Sequence, residues 1–286
     1  MTPILQVQSL SHTYSKDTPF WRDALTDISF SVSKGEFLAI LGHTGSGKST
    51  LLRHLNGLLK PTSGRILFDG RDLWENPRYT REARFRIGLV FQYPEYQLFD
   101  ETVSEDIAFG PKNMGCSKEE IRQRVAEAAE IVNLSEEELQ SSPFALSGGQ
   151  KRRAAIAGIL AMRPEVLILD EPTAGLDPEG SRQILQHILQ YRSRTNAAVI
   201  MVSHSMEDAA RYADRILVLN EGRCVMDGTT KEVFSEADKL VEIGLDIPQV
   251  TRVLLKLREL GVPVDPSAYT AEDAVNAILQ AKEAVR

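Results

Sequence analysis

Cysteine is almost absent from this 286-residue chain: Cys116 and Cys224 are its only two, far apart and without metal-ligand spacing. That excludes a disulfide framework and a cysteine zinc site, and it suits a reducing compartment where both are packing residues. Long hydrophobic runs are also missing. No segment approaches the ~20 apolar residues of a membrane span, so any role at a membrane has to come through partners. The first residues lack a charged-then-apolar signal pattern. Positive charge is not in excess, since 33 Lys and Arg face 40 Asp and Glu for a net charge of −7. That balance argues against broad binding to nucleic acid. Internal repeats and low-complexity tracts are absent as well.

What is present begins with a phosphate loop. Gly42-His43-Thr44-Gly45-Ser46-Gly47-Lys48-Ser49-Thr50 fits GxxxxGK[ST], and it directly follows the apolar run Phe37–Leu41, which is of buried-strand length. The glycines free the backbone to turn successive N–H groups inward on a phosphate chain. Ser49–Leu59 reads as a helix with Leu51, Leu52, Leu55, Leu58 and Leu59 on one side. Its N-terminus adds partial positive charge at the phosphates. Lys48 is expected to reach the β- and γ-phosphates, and the Ser49 hydroxyl to ligate Mg²⁺.

A second buried-type run, Val166–Leu169, ends in Asp170-Glu171. A carboxylate at the end of a core strand beside the phosphates suits Mg²⁺, which assigns Asp170. Glu171 then faces the γ-phosphate and suits orienting or deprotonating a water. Two more strand-type runs end in polar residues: Ile87–Phe91 before Gln92, and Ala198–Val202 before Ser203-His204. Taken alone, a histidine after a strand is usually structural, and Tyr14 after the alternating run Ile4–Leu10 is commonly just packed.

The stretch Leu146-Ser147-Gly148-Gly149-Gln150 changes the weight of all of these. A phosphate loop, then LSGGQ, then a strand-terminal Asp-Glu followed by Pro172–Asp177, resembles the ATP-binding cassette (ABC) ATPases. The resemblance implies an α/β fold: a P-loop NTPase core of ABC type with an N-terminal antiparallel β subdomain, a helical subdomain and here a small helical C-terminal appendage. It implies that ATP is the nucleotide, that Gln92 senses Mg²⁺ and the attacking water, that His204 contacts the γ-phosphate and that Tyr14 stacks on adenine. It also implies that Ser147, Gly148, Gly149 and Gln150 close on the γ-phosphate held by another subunit. With one phosphate loop and one LSGGQ, the chain needs a second ATPase subunit.

The segment after Gln92 narrows the resemblance. Phe91–Phe99, Glu101-Thr102-Val103 and Ala108-Phe109-Gly110-Pro111 look like the energy-coupling factor (ECF) ATPases, which power prokaryotic uptake of vitamins and of cobalt or nickel ions. The chain is most similar to the second of the two A-type subunits. That implies a peripheral place on the cytoplasmic face of the cell membrane, a different A-type chain as partner, a membrane T component and, indirectly, a substrate-binding S component. A cobalt- or nickel-type ATPase acting as homodimer is one alternative. A soluble ABC ATPase of DNA repair or translation is another, but the chain has no extended heptads and a single cassette. A non-hydrolysing module would be expected to lose Glu171, His204 or LSGGQ, and all stand.

The chain divides into an ATPase domain over 1–240, with a helical subdomain at about 92–160, and a C-terminal helical dimerisation region over 241–286. A hairpin signal falls at Pro61–Gly64, and the helix after LSGGQ starts near Gln150 and runs to about Met162. In the tail, Asp246 is expected to cap a helix with Pro248 in its first turn and a stripe of Val250, Val253, Leu254, Leu257 and Leu260. Pro263 and Pro266 then break the chain, and Thr270 with Asp273 starts a last helix carrying Val275, Ile278 and Leu279. The stripe fits packing on its own core as well as an extended dimer contact.

Overall fold

The computed structural model describes residues 3–15, 18–265 and 268–284, with side chains to 282; Pro266 lies outside them. Alternation of apolar and polar residues near the N-terminus produces a four-stranded antiparallel sheet. β1 (Leu5–Tyr14) pairs with β2 (Arg22–Val32) on one side. Leu5, Val7 and Leu10 point inward because only one face of this sheet is covered. The five-residue run Phe37–Leu41 becomes β3 and leads into α1 (Lys48–Leu55). β4 (Ser63–Phe68) then joins the other side of β1 and turns into β5 (Arg71–Asp72).

The other apolar runs build a six-stranded sheet. β6 (Ile87–Val90), β7 (Val166–Asp170), β8 (Ala198–Val202), β9 (Arg215–Asn220) and β10 (Arg223–Thr229) assemble with β3 in the order β10-β9-β3-β8-β7-β6. All neighbours are parallel except the β9–β10 hairpin. Every residue of β3 and β8 is buried, as expected of parallel strands covered on both faces. Leu38 and Ile40 meet α1 and the antiparallel sheet, while Phe37 meets the helical layer on the opposite face.

That layer follows α2 (Pro77–Arg86) and comprises α3 (Val103–Asn113), α4 (Lys118–Ile131), α5 (Glu136–Gln140), α6 (Gly148–Leu160) and α7 (Pro178–Thr195). α8 (Met206–Tyr212), α9 (Thr230–Ser235) and α10 (Ala237–Glu242) close the β9 end of the sheet. In the tail, α11 (Gln249–Glu259) and α12 (Ala271–Ala284) pack on each other around Leu254, Val264, Ala274 and Ala281. Residue 240, the expected edge of the ATPase domain, falls inside α10; Leu240, Leu245 and Ile247 are all buried in the main body.

Several local expectations are corrected. α1 ends at Leu55, four residues early, because Gly57 turns the chain back and the N–H groups of Leu58 and Leu59 both donate to the Arg53 carbonyl. Leu58 is thereby 46% exposed instead of sharing the buried side. Pro61–Gly64 is not a hairpin turn, since Ser63 already pairs with Ser11 of β1; the tight turn is Asp69-Gly70, both at positive φ, between β4 and β5. α6 starts at Gly148 and ends at Leu160, two residues before the expected bounds at each end. Asp246 does not cap α11: Pro248 stands at the cap without a side-chain bond, while Asp246 accepts from the Ile247 N–H and pairs with Arg252. The stripe on α11 splits, with Leu254 fully buried and Val253 and Leu260 exposed.

Tyr191 ties the helical layer to the sheet. Its fully buried ring lies on α7, and its hydroxyl donates to the Pro164 carbonyl at 2.7 Å, just before β7. Burial pushes the phenol pKa up. Tyr191→Phe leaves that buried carbonyl unpaired and is expected to lower stability by about 1–3 kcal/mol, read as a reduced midpoint in denaturant titration.

Candidate nucleotide site

Four parallel strands deliver their carboxyl ends to one crevice, the position where open α/β sheets bind ligands. β3 ends in the phosphate loop, β6 in Gln92, β7 in Asp170-Glu171 and β8 in Ser203-His204. A cleft of about 470 Å³ opens there, lined by Tyr14, Thr44, Gly45, Gly47, Lys48, Ser49, Thr50, Gln92, Glu171 and His204. Arg22 and Ala24 of β2 complete the lining. Sequence reasoning missed these two, because a strand pattern does not reveal which residues of a neighbouring sheet overhang a loop.

The loop is shaped by its own surroundings. A side chain at Gly42 would collide with the Leu219 carbonyl at 2.5 Å, and one at Gly47, whose φ is +104°, with the Ala24 carbonyl at 2.6 Å. Ser46 is fully buried beneath the loop. The His43 ring turns away from the cleft, its Nε2 2.9 Å from Asn220 Oδ1 and its Nδ1 2.8 Å from the Thr44 carbonyl. Lys48 donates from Nζ to the Gly42 and His43 carbonyls at 2.6 and 2.9 Å. Burial lowers the Lys48 pKa, against the pull of Glu171 and Asp170. Tyr14 lines the same cleft, its hydroxyl 3.3 Å from Thr50 Oγ1.

Glu171 is gripped from both sides. Gln92 Nε2 donates to its Oε2 at 3.0 Å, and His204 Nε2 lies 2.8 Å from its Oε1. Glu171 adopts φ +50°, a left-handed conformation that is strained for a residue with a side chain. Asp170 sits deeper, against Ser49 and Lys48; burial and the neighbouring Glu171 hold its carboxyl above the usual carboxylate range despite them. A desolvated carboxylate beside a hydroxyl suits a hard cation that completes its shell with phosphate oxygens and water. Among the described residues no group of three or more His, Cys, Asp or Glu forms a self-sufficient metal cage.

LSGGQ is not brought to this cleft. Ser147, Gly149 and Gln150 line a separate hollow of about 220 Å³ with Leu176 and Gly180. Ser147 caps α6 by accepting from the Gln150 N–H, and the Ser147 N–H donates to Gln150 Oε1. The Gln150 amide is held by Glu138 at 2.7 Å. An added Cβ at Gly148 or Gly149 would meet nothing within 4 Å, and neither residue has positive φ. None of the described residues requires glycine there. A third hollow, of about 280 Å³, lies beside the segment after Gln92 and is lined by Leu98, Phe99, Phe109, Ile159 and Met162. Tyr96 stands outside it, 84% exposed.

Fold and site together define a P-loop ATPase of the ATP-binding cassette class. The family profile described as ABC transporter matches residues 25–174. The chain is 54% identical to an energy-coupling factor transporter ATP-binding protein EcfA2 from Caldanaerobacter subterraneus, and 51% identical to that of Clostridium tetani, with 96% of each chain covered in both cases. Among solved structures it resembles cbiO1 from Clostridium perfringens, described as part of the ABC transporter complex cbiONQ, with TM-score 0.76, 40% identity and coverage of 91% of this chain and 98% of that one. It also resembles a dimeric ATP-binding cassette in a post-hydrolysis state with ADP and Pi, at TM-score 0.71 and 29% identity over 79% of this chain and 98% of that one. The chain belongs to the ABC transporter family, in the branch of energy-coupling factor ATP-binding subunits, and is an ATP-hydrolysing transporter subunit. Among the described residues no helix is long and apolar enough to cross a membrane.

The desolvated Asp170 carboxylate carries a testable consequence. Because the folded pKa of Asp170 is raised, its ionised form opposes folding at pH values above that pKa, and the penalty fades as pH falls and the group protonates. Asp170→Asn is therefore expected to melt at a higher temperature than wild type at neutral pH without nucleotide. The gap should close in acid, while ATP turnover is lost at every pH.

Proposed function

We propose that this chain is the second of two non-identical ATPase subunits of a prokaryotic ECF-type importer of vitamins or transition-metal ions, peripheral on the cytoplasmic face of the cell membrane. The observation that carries the reading is the division of the machinery. The phosphate loop, Glu171 and His204 share one cleft, whereas the glycines of LSGGQ open on a surface that none of the described residues covers. Ser147, Gly148, Gly149 and Gln150, at the start of α6, offer a helix N-terminus to the γ-phosphate bound by the partner ATPase.

In the cleft, Tyr14 stacks on adenine and the N–H groups of residues 42–50 wrap the phosphates. Lys48 leaves its own carbonyls for the β- and γ-phosphates. Ser49, Asp170 and Gln92 would hold Mg²⁺. When bound, that ion neutralises charge on the β- and γ-phosphate oxygens. Glu171 takes the proton of the attacking water as the bond to the γ-phosphorus forms and the bond to the leaving ADP oxygen breaks. Gln92 and His204 orient Glu171, and the His204 edge contacts the γ-phosphate. The apolar hollow at Leu98, Phe99 and Phe109 receives a cytosolic helix of the membrane T component, next to Gln92, so that nucleotide state moves it. The S component that binds the cargo is engaged only through T. Likeness to cbiO1 supports a second reading, a cobalt- or nickel-type ATPase working as a homodimer.

Glu171→Gln in the assembled complex is expected to keep ATP binding but slow hydrolysis on the order of 10²-fold or more, with the ATP-bound dimer accumulating. Turnover at the wild-type rate would remove Glu171 as the base. The tail supplies the contact that persists without ATP. Val253 on α11, Leu260 just past its end, and Val275 and Leu279 on α12 are each more than half exposed, and burying such side chains contributes roughly 1.5–3 kcal/mol each before ordering costs. Truncation after Ile247 keeps Leu245 and Ile247 in the main body and is expected to leave a folded ATPase that separates from its partner in nucleotide-free size-exclusion chromatography. A stable truncated dimer would assign these helices to their own subunit alone.

A further inference from the structure

Behind Tyr14 lies a pair of buried histidines that the reaction does not use. His12 precedes Tyr14 by two residues on β1, so both face the same side of the strand. The rings of His12 and Tyr14 meet edge to face, 4.5 Å between centroids at 83°. On its far side His12 meets the His54 ring at 4.6 Å and 66°. His54 belongs to α1, the phosphate-loop helix, where its Nδ1 lies 2.7 Å from the Thr50 carbonyl. Thr50 also meets the Tyr14 hydroxyl. Tyr14, His12, His54 and Thr50 thus form a closed ring of contacts from the base-binding wall to the phosphate-binding helix.

Hydrogen bonding accounts for one of the four ring nitrogens, His54 Nδ1, and for neither nitrogen of His12. His12 is 8% exposed and His54 fully buried, yet both nitrogens of His12 and Nε2 of His54 lack a partner among the described residues. The Lys60 carbonyl lies near both rings without meeting hydrogen-bond geometry to either. Burial pushes the His54 pKa down to about 4 and lowers that of His12, so both are neutral flat rings near pH 7. A buried polar atom without a partner is unfavourable, and a leucine would avoid it. The feature that histidine adds here is a rigid flat edge against the tyrosine face.

We infer that His12 is a positioning residue for nucleobase recognition: backed by His54, it fixes the Tyr14 ring at the angle that receives adenine and ties that platform to the phosphate-loop helix. The inference rests on the stacking role given to Tyr14. It separates binding of the base from binding of the phosphates, because His12 does not line the nucleotide cleft and meets the phosphate-loop helix only through His54.

The full chain is titrated with ATP and, separately, with inorganic tripolyphosphate, both with Mg²⁺, comparing wild type, Tyr14→Ala, His12→Ala and His12→Phe. His12→Ala is expected to weaken ATP roughly two- to tenfold, the range for one aromatic pair, and to leave tripolyphosphate unchanged. His12→Phe, which restores a flat ring, is expected to recover most of the loss. Equal weakening of both ligands would show His12 to be plain support for α1 and would overturn the inference. So would unaltered ATP affinity in His12→Ala while Tyr14→Ala weakens ATP. If Tyr14→Ala itself binds ATP as wild type does, the stacking role falls and takes the inference with it. Should His12→Ala not fold, His12→Leu, which fills the space without an aromatic edge, enters the same comparison with the same deciding outcomes.

Discussion

Arg152 is the side chain on which the geometry of the cleft depends. It lies on α6, 2% exposed, and forms a two-pronged pair with Glu95 at 2.8 and 3.1 Å. Its third nitrogen donates to the carbonyls of Pro172 and Ala174 at 3.3 and 2.7 Å. One guanidinium thereby fastens the helix that begins at LSGGQ to the turn after Gln92 and to the loop after Glu171. Removing one partner of such a buried pair typically costs about 3–5 kcal/mol, and here it would free three segments at once. An aliphatic side chain of similar size could fill the space, but it could not hold two loops by their carbonyls.

The strain stored nearby makes that fastening necessary. Glu171 and Tyr93 both stand at φ near +50°, each unfavourable by about 1–3 kcal/mol for a residue with a side chain. Glu171 is held there because its N–H donates to the Val202 carbonyl and its own carbonyl accepts from the Ala174 N–H. Tyr93 follows Gln92, and its ring lies under the Arg152 guanidinium at 5.8 Å. A relaxed extended turn at residue 171 would carry the carboxylate away from Gln92 and His204. The conformation therefore aims the group, and the buried arginine resists its release.

Local chemistry was legible in the sequence wherever a function needs consecutive residues. The phosphate loop and the strand-terminal Asp-Glu each depend on neighbours within a few positions, and each follows the buried strand that the pattern put before it. Features that depend on distant partners were not legible. Arg22 enters the cleft from another sheet, and Glu95 finds Arg152 across 57 positions. The tail stripe shows the same limit: a helical period marks Val253 and Leu254 equally, and only the position of α12 buries one and leaves the other in solvent. The early end of α1 is a similar case. The apolar spacing continues through Leu58, but the Arg84 guanidinium on the Gly57 carbonyl and the Asn56 amide on the Ile87 carbonyl stabilise the turn instead.

Glycine serves two opposite purposes on the two halves of this surface. At Gly42 and Gly47 the chain's own carbonyls occupy the space a methyl group would need, so the residues are required for folding of this subunit alone. At Gly148 and Gly149 the space is empty and the backbone is the first turn of a helix, where glycine has more backbone freedom to lose on folding than alanine. A cost with no return inside the subunit implies a return outside it. Only a surface approached closely by another molecule gains from two successive missing side chains, because bare N–H groups at a helix N-terminus can then reach an anion directly. The first pair of glycines shapes a site within this chain; the second leaves bare backbone at an exposed helix start, which is what the proposed contact with a partner's phosphate would use.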